Sequence, residues 1–420
     1  MMSNGKIELM APAGNFEAMM AAIQGGADSV YFGVEQLNMR ARATMNFTIN
    51  DLEEIARICG EHNVRTYLTL NTIIYDHDLS LMKMIIDRVK ESGITAIIAS
   101  DQAVISYAFS KGVEVHISTQ SNITNIETVR FFSHFADVMV LSRELSLLQV
   151  KKITDAIEKE QIKGPSGNLI EIEIFGHGAL CVAVSGKCYM SLHTHNASAN
   201  RGACIQNCRR QYKVVDIEEG YELEIDNEFI MSPKDLCTID FLDQVIDSGI
   251  KVLKIEGRGK GADYVKTVTQ CYREAIDSCQ DKTYSKEKVE GWMQRLSEVY
   301  NRGFWSGYYL GQKLGEWTSQ PGSVATKKKV YLGRGNHYYN KIGVAEFTLE
   351  TMKVKVGDKI LITGPTTGVV ETVIEEMHVN DEGKKDIAVK GDNFAIKLDT
   401  QIRPSDKLYK IVDSEETANA

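Results

Sequence analysis

Over the first 280 residues, short apolar runs alternate with amphipathic stretches. IELMAPAG (7–14), DSVYFGV (28–34), RTYLTLN (65–71), AIIAS (96–100), VEVHISTQ (113–120), DVMVLS (137–142), IEIEIFGHG (170–178) and KVLKIEG (251–257) read as strands. Several are almost continuous in apolar residues, as parallel strands covered on both faces must be. FEAMMAAIQGG, DLEEIARICGEHN, LMKMIIDRVKESG, AVISYAFSKG, IETVRFFSHF and SLLQVKKITDAIEK carry the helical period between them. Eight strands alternating with helices predict an α/β fold, a TIM-like (β/α)8 barrel, with a doubly wound open sheet as the alternative. Polar residues gather at the strands' C-terminal ends, the catalytic rim of such a barrel: Asn71, Gln120, Arg143, His177 and Glu256.

The alternation breaks between the seventh and eighth strands. A cysteine-rich insertion, 178–240, projects there from the rim, and its second half (YKVVDIEEGYELEIDNEFIMSPKDLC) reads as a β-hairpin. SKEKVEGWMQRLSEVYNRGF adds one more helix before the barrel unit closes near residue 320. From 321 to 420 the texture changes to short strands punctuated by Gly, Asp and Asn, predicting a small all-β barrel domain.

A chain of 420 residues with a net charge of −9 does not bind polyanions indiscriminately, because counterion release needs basic surface. One local stretch differs: Ala325 to Lys341 holds Lys327, Lys328, Lys329, Arg334 and Lys341 and no acidic residue. The first residues lack a secretory pattern and no apolar run is long enough to cross a bilayer, so a cytoplasmic protein without a membrane partner is expected. In a reducing compartment, grouped thiols point to metal binding or catalysis rather than disulfides. Four of the eight cysteines, Cys181, Cys188, Cys204 and Cys208, fall in one loop-like segment at spacings of seven, sixteen and four. Only the last pair resembles a zinc knuckle, so the irregular set suits an iron–sulfur cluster better than structural zinc, which stays the alternative. Cys237 is a substitute fourth ligand; Cys59, Cys271 and Cys279 lie in helical patterns and read as packing residues. No zinc-protease helix, nucleophile elbow or phosphate loop occurs.

ELMAPAGNFEAMMAAIQGGADSVYFGV, VHISTQSNITN, IEIFGHGALCVAVSGKCYMS, KIEGRGKGADYV and NRGF together resemble the collagenase-like peptidase family of unknown catalytic type, over residues 8 to about 305. The resemblance implies an oxygen-independent hydroxylase with a 4Fe-4S cluster. The barrel-plus-β-domain length is similar to the branch that makes 5-hydroxyuridine at the tRNA wobble position with prephenate as oxygen donor. The β-domain of that branch resembles the second domain of elongation factors. The resemblance implies cluster ligands Cys181, Cys188, Cys204 and Cys208, the last favoured over Cys237 because Ser232 stands where some relatives ligate. A peptidase, a hydroxylase of another RNA and a non-catalytic RNA-binding module are the competing readings.

Prephenate is a dicarboxylate and calls for guanidinium forks, for which Arg40, Arg42, Arg143 and Arg258 are the candidates, with Asn71 and Asn125 beside them. Gln120, His177 and Glu256 are the catalytic candidates. Arg201, Arg209 and Arg210, with Lys327, Lys328, Lys329 and Arg334, are the candidates for gripping tRNA phosphates. A redox reaction also leaves room for an electron donor or partner subunit.

Overall fold

The computed structural model describes residues 6–42, 45–220, 222–223, 229–311, 315–380 and 382–414. All eight expected barrel strands form: Glu8–Pro12, Ser29–Phe32, Arg65–Leu70, Ala96–Ala99, Glu114–Ile117, Val138–Val140, Glu171–Ala179 and Val252–Ile255. Each pairs in parallel with the next, and the eighth pairs with both the seventh and the first. That double pairing closes the barrel and excludes the open sheet.

The strands alternate between two apolar environments because successive side chains point to opposite faces. Leu9, Phe32, Leu68, Ile97 and Leu253 pack outward into the core shared with the helices. Met10, Tyr31, Tyr67, Ala96, Ile98, Val138 and Val252 form a separate cluster inside the barrel. Charged groups share this interior in pairs, which is the condition for burying them. Lys254 Nζ lies 2.8 Å from Glu173, and Glu8 accepts from Tyr67 Oη at 2.8 Å and also meets Arg65. His116 is fully buried, 2.9 Å from Glu114 and against the Tyr67 ring, so it fills the barrel.

The expected hairpin of the insertion takes a different form. Its described ladder is two residues long, Val214–Val215 against Glu222–Leu223; residues 224–228 lie outside the described residues. Its last segment, Asp235–Cys237, pairs antiparallel with residues 177–179 of the seventh strand instead. That strand overruns the barrel and exposes ladder groups that need partners; Phe304–Trp305 then extends the sheet on the far side of Asp235–Cys237.

The C-terminal domain is a seven-stranded antiparallel sheet over one core that includes Leu332, Phe347, Ile362 and Phe394. Its long strand, Lys327–Tyr339, pairs with Lys407–Asp413 along its first half and Val344–Leu349 along its second. The domain is seated on the barrel: Gln24 bonds the backbone of Thr367 and Val369, Lys266 donates to the Val369 carbonyl, and Leu361 and Val369 join the barrel's outer core. Among the described residues no helix is long and apolar enough to cross a membrane.

Candidate active site

A cavity of about 280 Å³ opens at the C-terminal ends of the barrel strands. Its floor is Tyr31, Ile98, Phe175 and Lys254, its wall comes from the loops after the strands, and its roof is the cysteine-rich insertion. Seven basic side chains line it (Arg40, Arg143, Arg209, Lys254, Arg258, Lys260 and Arg302) and Glu256 is the one carboxylate among the described lining residues.

Glu256 follows the eighth strand and accepts from Arg40 Nη2 at 3.0 Å and Tyr31 Oη at 3.1 Å. Burial alone would raise its pKa, but Arg40, Arg143 and Arg258 outweigh that and hold it at about 2. It is therefore a permanent anion that orders the arginines and has no proton to give at neutral pH. Arg258 is buried and donates to Thr69 Oγ1 at 2.7 Å and Asn38 Oδ1 at 3.2 Å. Gly33 leaves it room, since a Cβ there would stand 2.6 Å from Arg258 Nη1. Arg143 donates to the Ala179 carbonyl at 3.0 Å, with its guanidinium 3.8 Å from the Phe175 ring centroid. Asn71 lines the cavity, accepts from Met39 N and reaches Ser118, tying together two rim loops. Gln120 Oε1 is buried and has no hydrogen-bond partner among the described residues. It lies under Gly186 of the roof, where a Cβ would come within 2.6 Å of it. A desolvated carbonyl oxygen in such a place awaits a donor from outside.

All four clustered cysteines, Cys181, Cys188, Cys204 and Cys208, line the cavity as free thiols. Burial and the three neighbouring thiols raise the pKa of Cys208, against the pull of Arg209. Cys237 is buried outside the lining, near Tyr272 Oη at 3.8 Å. Among the described residues no three His, Cys, Asp or Glu side chains converge closely enough to hold a single metal ion. Cys59 and Cys271 are fully buried packing residues.

Several expected site residues do other work. His177 lies outside the lining, enclosed by Tyr264, Tyr272 and Phe304, and burial depresses its pKa to about 3, so it is a neutral packing residue. Asn125 caps the helix Ile126–Phe132 by accepting from Thr128 N, and its side chain is used there. Arg42 is exposed outside the cavity, its backbone N–H bonded to Gly202. Arg201 pairs with Asp78 and stacks on Tyr75, while Arg209 donates to Ser232, Pro233 and Leu180. Arg201 thus clamps the roof to the barrel and Arg209 ties the two ends of the insertion together, so both guanidiniums are engaged in holding the roof; Arg210 is exposed. Arg334 pairs with Glu350 on the β-domain.

Tyr31, Lys254, Lys260 and Arg302 are charged or polar cavity residues not among those singled out from the sequence. Lys260 Nζ sits 3.0 Å from the Tyr300 ring centroid. Burial, then the neighbouring Arg302, lower its pKa to about 7. Its one visible hint was its place in KIEGRGKG, two residues past Arg258.

The fold and site define a closed (β/α)8 barrel whose anion-favouring cavity is roofed by four thiols. The chain belongs to peptidase family U32, whose profile matches residues 14–319. It is similar to a protein named collagenase from Porphyromonas gingivalis, at 53% identity over 99% of this chain and 100% of that one. It is 38% identical to an uncharacterized protease of Methanocaldococcus jannaschii, over 97% of this chain and 99% of that one. It is 31% identical to a tRNA hydroxylation protein of Bacillus subtilis, over 96% of this chain and 95% of that one.

Proposed function

We propose that this protein is an RNA-modifying enzyme that hydroxylates the wobble uridine of tRNA to 5-hydroxyuridine without molecular oxygen, with prephenate as oxygen donor. The observation that carries the reading is the cavity's charge: seven basic side chains and one carboxylate line it, and while Lys254 and Arg302 are paired with Glu173 and Asp235 behind it, Arg143 and Arg258 are hydrogen-bonded to neutral groups, in a chain with a net charge of −9. Such a lining favours a small polyanion and suits a dicarboxylate bound by guanidinium forks. The similarity to a tRNA hydroxylation protein over almost the whole of both chains supports the substrate class. The names collagenase and protease on other relatives favour a peptidase as the second reading. Against it, the described cavity lining contains no histidine, and its one carboxylate, held ionised by arginines, is too weak a base to activate a nucleophile, which leaves Lys260 as the lining's candidate base.

Cys181, Cys188, Cys204 and Cys208 would hold a 4Fe-4S cluster on the roof. Four free thiols of soft-ligand character, close enough to perturb one another and flanked by Arg209, fit an anionic thiolate-held cluster. When bound, such a group supplies one-electron redox chemistry. Around it, Arg143 and Arg258 bind the carboxylates of the donor, with Arg40 held ready by Glu256. The orphan Gln120 Oε1 accepts an N–H from the incoming base. A wobble base is already unpaired, so bringing it into the cavity costs little unstacking. Arg210 and the strand beginning at Lys327 meet the phosphates.

Anaerobic purification followed by visible absorption and iron and sulfide analysis is the first test, then nucleoside analysis of tRNA incubated with the protein and prephenate. About four irons per chain are expected, lost in Cys208→Ser and kept in Cys237→Ser, together with 5-hydroxyuridine that depends on prephenate. A colourless protein holding one zinc, with collagen cleavage that survives Cys208→Ser, returns the peptidase reading.

A further inference from the structure

A second hollow, of about 550 Å³, lies outside the barrel in the cleft between the helices Ala262–Gln280 and Lys286–Glu298 and the β-domain. Its basic side chains come from both domains: Lys266 and Arg295 from the helices, and Lys327, Lys328, Lys329 and Lys359 from the sheet. Asp263, Glu298 and Glu371 are the acidic ones, so the cleft carries twice as many cations as anions in a chain where acidic residues outnumber basic ones. Lys359 pairs with Glu371 at 2.7 Å and Lys329 with Asp263 at 2.6 Å, Lys327 and Arg295 pair with Asp413 and Glu274 just outside the lining, and Lys328 donates to the Ser414 carbonyl. Such half-exposed pairs contribute little and exchange readily for phosphate.

The cleft adjoins the active-site cavity. Tyr300 lines the cleft, and the Lys260 ammonium that rests on its ring lines the cavity. The turn carrying Arg258 and Lys260 thus separates the two hollows, with Asp263 and Lys329 on the far side. The seating of the β-domain through Gln24 and Lys266 gives the cleft a defined width.

We infer that this interdomain cleft is an RNA-backbone site, in which Lys266, Lys328 and Lys359 hold phosphates of the same RNA whose base enters the barrel cavity across the Lys260–Tyr300 wall. The inference rests on the RNA-modifying reading and adds to it the place where the stem is held. The base and its backbone would then be bound by different domains, so affinity and modification separate under mutation.

The test uses the full-length holoprotein and bulk bacterial tRNA, with filter binding over a range of salt. Lys328→Glu combined with Lys359→Glu is expected to weaken binding at least tenfold at about 0.15 M salt and to reduce the salt slope by about one per lysine. Lys384→Glu with Lys385→Glu, on β-domain surface outside the cleft lining, is expected to bind as wild type. Circular dichroism and the visible spectrum check that each variant is folded and loaded, and Lys359→Gln gives a milder second arm expected to lower the slope by less. Cleft variants that bind tRNA with wild-type affinity and slope, while wild type still forms the modified nucleoside, overturn the cleft and leave the proposed activity standing. A wild-type protein that neither binds nor modifies tRNA overturns both. Equal losses in the cleft and Lys384/Lys385 variants mean diffuse electrostatic attraction and also overturn the cleft.

Discussion

Beneath the cavity, regular strands carry Tyr31, Phe175 and Lys254 on a closed hydrogen-bonded ladder; above it, residues 180–209 have only the helix Met190–His195 and two single 3-10 turns. The floor's one charge is neutralised within the barrel, Lys254 by Glu173. The roof is held by a few side-chain bonds: Arg201 reaches Asp78 and Asn122 donates to the Ser185 carbonyl across to the barrel, while Arg209 ties Leu180 to Ser232 and Pro233 within the insertion. A closed barrel can thus carry a site whose upper half has little regular structure. The scaffold draws on the hydrophobic effect and backbone ladders, while the roof relies on a few side-chain bonds, the strongest of them charge-assisted.

The largest expected effect separates roof from floor directly. Arg209→Leu leaves the Leu180 and Pro233 carbonyls and Ser232 without their donor; hydrogen bonds to charged groups contribute about 1.5–3 kcal/mol each. We expect loss of bound iron and rapid proteolysis between residues 180 and 232, with the barrel's far-ultraviolet spectrum and principal melting transition retained. A protease pattern identical to wild type would mean the roof stands without this clamp.

Arg258→Met tests the wall. It removes the fork that faces Thr69 and Asn38, and a roughly 10- to 100-fold rise in KM for the carboxylate donor is expected, by the usual strength of a charged hydrogen bond. Iron content should stay at wild-type level, because Arg258 touches none of the four thiols' supports. Loss of iron in this variant would break the division between wall and roof.

Lys260 gives a smaller, pH-dependent signature. Its pKa falls from the ordinary lysine value of 10.5 to about 7 on folding, through burial and then Arg302. Between those pH values the unfolded chain binds more protons than the folded one, so this group makes stability rise with pH from about 7 towards 10.5, and its penalty is complete below 7. Urea midpoints of Lys260→Met should therefore lack that rise and exceed wild type most at low pH. Parallel pH profiles for the two proteins would show that Lys260 stays solvated.

The smallest effect is expected outside the site. Asn125→Ala removes a helix cap and should cost about 1 kcal/mol of stability, with turnover unchanged. A selective loss of turnover would restore Asn125 to the substrate site.

The barrel was legible because hydrophobic period is a local property: each run from IELMAPAG to KVLKIEG shows which faces it must bury, and eight such runs have a closed solution. The grouping of Cys181, Cys188, Cys204 and Cys208, and the rim positions of Asn71, Gln120, Arg143, Glu256 and Arg258, were legible for a related reason, since strand ends and loop composition are also local. Where a side chain points once the chain leaves a strand depends on residues far away in sequence. His177 and Glu256 both follow strand patterns at the rim, yet one is enclosed by Tyr264, Tyr272 and Phe304 and the other meets Arg40 across the cavity. Arg201 and Arg209 look like phosphate binders in a cysteine-rich loop; long-range partners, Asp78 and Ser232, turn them into struts. Local pattern along the chain is enough to specify the scaffold and the inventory of reactive groups. Which of those groups face one another is set in three dimensions, because burial and charge pairing join segments separated by 23 residues for Arg209 and Ser232 and by 216 for Arg40 and Glu256.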